Sequence, residues 1–157
     1  MDLKDWTAVV IAVVAVYGAF VSTYNLVVAG RQRTRQITVT LARGLLTLGA
    51  DPTTMFFLTA ANPGDRTVTL TGCHLLLPNR KKLVMPRAQG TVTFPHELQE
   101  GKNCTFWFRV REVVGALAAE GFRGEVALIA VFTDALDRTY SSDPFKGDLD
   151  KWATRTA

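Results

Sequence analysis

Histidine and cysteine are scarce in this chain of 157 residues, two of each, and that scarcity removes several chemistries at once. His74 directly follows Cys73, and adjacent residues of a strand point to opposite faces, so the two do not address one site. Pairing His96 with Cys104 as base and nucleophile would need a coincidence of folding. Cys73, His74, His96 and Cys104 also lack the C-x-x-C or H-x-x-x-H spacing of a structural zinc site, so no metal is assigned. A glycine-rich phosphate loop is missing as well: Gly44, Gly49, Gly64 and Gly72 are dispersed and precede no helix. The acidic residues form no D-x-D-x-D run. Asp134 and Asp137 instead flank a turn, where short carboxylates bond their own backbone. The sequence therefore offers no catalytic residue, no cofactor and no small-molecule substrate, and it does not read as an enzyme.

Charge is missing over one long stretch. From Thr7 to Ala29 the chain reads TAVVIAVVAVYGAFVSTYNLVVA, without an acidic or basic side chain. A helix of this length would run roughly 35 Å, enough to cross a hydrocarbon core with some tilt. The leader MDLKDW is net acidic, which argues against a cleaved signal peptide. Trp6 and Tyr24 stand near the two ends, as interfacial aromatics do. Residues 1–30 are accordingly expected to hold a transmembrane helix over 7–29, and 31–36 a basic juxtamembrane linker. Arg31, Arg33 and Arg35 follow the apolar run, whereas Lys4 is the one basic residue before it. Basic flanks stay cytoplasmic, so the expectation is a single-pass inner-membrane protein with its N-terminus outside and its body in the cytoplasm. There the two cysteines would remain thiols and pack as small apolar groups.

After the arginines the hydrophobic period changes to two. QITVTLARG puts Ile37, Val39 and Leu41 on one face, and TMFFLTAAN is apolar on both faces before the turn NPGD. RTVTLTGCHLLLP shifts its apolar parity at Gly72, the mark of a bulge. Further short strands are expected at LVMP, TVTF, NCTFWFRV, EVALIAVFTD and RTYSSDPF. REVVGALAAEGF has helical spacing and ends at Gly121. The pattern predicts an immunoglobulin-like antiparallel β-sandwich of about seven to eight strands with one short helix, over 37–150, and a tail at 151–157.

PHELQEGKNCTFWF, followed by FTDALDRTYSSDPFKGDLDKW and preceded by NPGDRTVTLTGCHLLLP, resembles a pattern in uncharacterised bacterial single-pass membrane proteins with a small β-sandwich domain. The resemblance implies that fold. It supplies no catalytic residues.

Two surfaces are candidates for contact. The first is the basic tip Arg80, Lys81 and Lys82 with Arg87, which could face anionic lipid or a partner. Its lack of interleaved aromatics argues against nucleic acid. The second is the apolar helix, where Ala15 and Ala19 lie four residues apart and Asn25 adds a polar group, an arrangement suited to helix association. The functional expectation is a non-catalytic, membrane-anchored binding module, its partners being the lipid bilayer and another protein, membrane or cytosolic, or a second copy of itself. Strand edges such as RTYSSDPF or LVMP would take a partner strand. The alternative is an accessory or scaffold subunit of a membrane complex acting through its helix.

Overall fold

Period-two alternation becomes two antiparallel sheets. In this computed structural model residues 3–32, 36–47, 52–84 and 89–154 are described, and within the first helix the side chains of Trp6 and of 11–27. The chain divides into two compact units, Met1–Thr34 and Arg35–Ala157.

The second unit holds ten strands and two helices among the described residues: β1 (Thr38–Thr47), β2 (Pro52–Ala61), β3 (Val68–Leu76), β4 (Lys82–Leu83), β5 (Gln89–Gly90), β6 (His96–Leu98), β7 (Asn103–Arg109), α2 (Val110–Ala119), β8 (Glu125–Asp134), β9 (Thr139–Ser141), β10 (Phe145–Asp148) and α3 (Leu149–Thr154). One sheet runs β1-β2-β7-β5. The other runs β10-β8-β3-β4, with β6 also pairing β3 and β9 also pairing β8. Their inner faces share one core, built from Phe56, Leu58 and Ala60 of β2, Phe106 and Phe108 of β7, Leu70 and Leu75 of β3, and Leu128, Ala130 and Phe132 of β8.

Local chemistry explains the joints. Buried Asn62 holds the NPGD turn: its Nδ2 donates to the carbonyls of Arg66 and Leu98, both at 2.8 Å, and its Oδ1 accepts from Gly64 N. Register shifts between Leu70 and Gly72, which brings Cys73 and Leu75 to the core side while Thr71 is exposed. α2 ends in two reversed hydrogen bonds, Gly121 N to Ala118 O and Phe122 N to Leu117 O, with Gly121 at φ 85°. Glycine is favoured there because an L side chain would be strained in the left-handed region.

Three segments differ from the sequence expectation. TVTF does not pair as a strand. Thr91 N donates to Thr105 O, and the chain then leaves the sheet so that Phe94 can stack on Phe106, centroids 4.4 Å apart. PHELQEG, which is not among the expected strands, contributes His96–Leu98 as a strand paired with Val68–Leu70 of β3. The last described residues, part of the expected tail, form α3, which carries Trp152 into the core.

The first unit is α1, Leu3–Gln32, a single helix of 30 residues. Its expected role needs correction: among the described residues no helix is long and apolar enough to cross a membrane. Tyr17, Ser22, Thr23, Tyr24 and Asn25 interrupt the apolar run of α1. The expected fold with a transmembrane helix over 7–29 is thus overturned in its N-terminal part. The single-pass arrangement, the topology and the inner-membrane location lose their basis with it.

Candidate functional site

A concave surface of the β domain lies along one open side, where an edge of each sheet meets. β1 ends the first sheet and pairs with β2 alone, and it also approaches β8 and β9 of the other sheet. Between β1 and the β9–β10 connection is a cavity of about 200 Å³, lined by Val39, Thr40, Leu41 and, opposite, Ser142, Asp143, Pro144 and Phe145.

The two walls are built differently. On β9–β10, Ser141 pairs with Val131 and Phe145 with Leu128, so three residues oppose two of β8. Ser142 absorbs this bulge: its N–H donates to Ala130 O at 2.9 Å, and Ala130 N donates to Ser142 Oγ at 3.0 Å in place of a carbonyl. Ser142 Oγ also donates to Asp143 O. Asp143 and Pro144 are thereby turned outward, both exposed. A bulge and a proline blunt this edge, since each interrupts the row of backbone groups a further strand would need. The sheets' opposite edges, β4 and β5, have two residues each. β1 is unlike all of these: ten residues without proline or lysine, carrying Arg43 as its single charge. Its backbone groups directed away from β2 form the longest uninterrupted edge among the described residues.

Asp134 sets where β9 starts. Its Oδ1 accepts from Leu136 N at 2.8 Å and Arg138 N at 2.9 Å, and its Oδ2 accepts from Tyr140 Oη at 3.0 Å. Burial alone would raise this carboxyl, but the bonds from Arg138, Leu136 and Tyr140 outweigh it and hold the pKa below the ordinary value.

The residues singled out from the sequence fall in separate places. Lys81 Nζ pairs with Glu120 Oε2 at the end of α2, so the basic tip is partly neutralised within the domain. Arg80 occupies the turn at φ 63°. Lys82 begins β4 and lies near enough to His74 to affect its charge. Arg33, Arg35 and Arg87 lie outside the described residues, as does the Arg31 side chain. On α1, Trp6, Ala15, Ala19, Tyr24 and Asn25 are all exposed. Ala15 and Ala19 share a face, whereas Asn25 stands about 120° around the axis from Ala19 and does not extend their stripe.

The sequence reading named RTYSSDPF as an edge, and four of its residues line the cavity. It missed β1 as the opposing wall. The available signal was the length of TVTLARGLLT, ten residues without proline or lysine and with Arg43 as its one charge.

The two thiols and one of the two imidazoles are shifted by their surroundings. Burial pushes the Cys73 thiol up to about 12 and raises Cys104 as well. Burial, then the Lys82 charge, lowers His74. Among the described residues no group of three or more histidine, cysteine or acidic side chains could hold a metal ion.

No family model matches the chain, and no curated protein matches it. Among solved structures, the secreted serine protease VesC from Vibrio cholerae is similar over 72% of this chain at 12% identity and a TM-score of 0.37. This chain spans 23% of that protein's length. So low a score carries no argument about fold or activity.

Proposed function

We propose that the β domain is a non-catalytic interaction module that takes up an extended segment of a partner protein along β1. The observation that carries this reading is the asymmetry of the edges: among the described residues every other sheet edge is very short or bulged, while β1 is long, free of bulge and proline, and bordered by a cavity. An added strand would gain main-chain hydrogen bonds from β1. A cavity of about 200 Å³ suits one aliphatic side chain between Leu41 and Phe145.

The test uses a random peptide library panned against the full chain, with amide hydrogen exchange on the bound complexes. The reading expects selected peptides to slow exchange across 38–47. It also expects Thr40→Pro, at an exposed position of β1, to abolish binding while circular dichroism is retained. Peptides that bind equally well to a folded Thr40→Pro protein and leave β1 exchange unchanged would overturn it.

A second reading rests on α1. The side chains of Val13, Val14, Val16, Phe20 and Leu26 are all exposed, and so much apolar surface on one helix favours contact with another apolar surface. This supports a scaffold subunit that assembles through α1. A truncation lacking residues 1–34 that remains in the same assembly by light scattering would remove it.

A further inference from the structure

The two cysteines are far apart in sequence, and the fold brings them into one core from opposite sheets. Cys73 lies on β3 with Phe132 of β8 as its register partner. Cys104 lies on β7, two residues before Phe106 and on the same face of that strand. Phe106 and Phe132 meet across the sheets with ring centroids 6.1 Å apart. The near neighbours of the two cysteines therefore touch. Cys104 is wholly buried in the core cluster, and Cys73 packs against that cluster, partly buried and the more accessible of the two. Both are free thiols.

We infer that Cys73 and Cys104 form a latent inter-sheet disulfide site, closed by exchange with a small-molecule disulfide. The order of attack follows from exposure. The Cys73 thiolate displaces one thiolate from the reagent R–S–S–R and becomes a mixed disulfide. The Cys104 thiolate then attacks the Cys73 sulfur and releases the second R–S⁻. Two protein thiols are oxidised, and one reagent disulfide is reduced to two R–SH. Cys104 is close enough to Cys73 that its negative charge disfavours the Cys73 thiolate, which agrees with their placement. Burial keeps both thiols protonated at neutral pH, so the exchange is slow there and accelerates as pH rises.

The closed bond would tie β3 to β7 across the core. The two sheets meet through their shared core and are joined by the chain segments that cross between them, so the bond chiefly restricts the unfolded chain.

The test incubates the full chain with oxidised glutathione at pH 8.5, then measures intact mass, free thiols and the thermal midpoint. The expected product is monomeric, lighter by two hydrogen atoms, without free thiol, and melts roughly 10 °C higher. Cys104→Ala should give a Cys73–glutathione adduct with no such rise, and Cys73→Ser should give no adduct in the folded state. A persistent glutathione adduct on the unaltered chain, a dimer linked through Cys73, or unreacted thiols after a day would each overturn the proposal. So would an intramolecular bond that lowers the midpoint, because it would show that the native spacing does not accommodate it. None of these outcomes depends on strand uptake at β1.

Discussion

Phe56 of β2 meets Trp152 of α3 edge-on, with ring centroids 5.3 Å apart and planes at 76°. Phe145 completes the group, 5.8 Å from Phe56 and 6.0 Å from Trp152. The last helix is thus fastened to the centre of the opposite sheet. Truncation of a buried aromatic removes both transfer free energy and packing, about 3–5 kcal/mol. Trp152→Ala is expected to lose that much in urea unfolding, and Trp152→Phe appreciably less. Equal losses for the two would show that the ring group contributes little.

Gly147 sits against the same indole. A methyl group added there would overlap Trp152. Because Trp152 is buried and held by two aromatic neighbours, it cannot move aside cheaply. Gly147→Ala is expected to cost about 1–3 kcal/mol by overpacking. In the Trp152→Ala background the cost should largely vanish, which a double-mutant cycle measures.

How far the sequence shows this arrangement depends on which physical signal each part carries. β7, β8 and α2 are legible because their periodicity is decided by burial within the segment: Cys104, Phe106 and Phe108 alternate, and Val110, Val113 and Leu117 follow helical spacing. Gly72 marks a register shift for the same reason. FKGDLDKW gives no such signal. Its burial comes from three aromatics that meet only in the folded domain, so a polar segment with a lone tryptophan reads as a tail. TVTF alternates like a strand, yet it leaves the sheet after Thr91 and Phe94 stacks on Phe106, a contact that only the folded domain shows. The groove is half legible: RTYSSDPF is recognisable as an edge, but only topology shows that β1 stands opposite. The apolar run of α1 is the plainest feature of the sequence, and it misleads as to a membrane span.

Asp134 gives an acid-dependent stability. Its folded pKa lies below the ordinary value, so its contribution is fully present above the unfolded pKa of about 3.9 and is lost as pH falls through the folded value. Asp134→Asn keeps the shape but weakens acceptance from Leu136, Arg138 and Tyr140, and should cost about 2 kcal/mol at pH 7. The measurement is urea unfolding at pH 7 and pH 3: the difference between wild type and variant should shrink at pH 3. A constant difference would mean that charge at this position is immaterial.

His74 works in the same direction over a different range. Burial first, and Lys82 second, lower its folded pKa beneath the unfolded value of about 6.5. Above that value both states hold neutral imidazole, and the group adds no pH dependence. As pH falls below it the unfolded chain binds the proton before the folded one, so stability declines until the folded pKa is passed. Between pH 7 and pH 5 the wild type should therefore lose stability, and His74→Gln should show a flatter profile. Lys82→Met, which removes the second cause, should shift the decline to a lower degree than His74→Gln does. If His74→Gln leaves the slope unchanged, the titration belongs to another group.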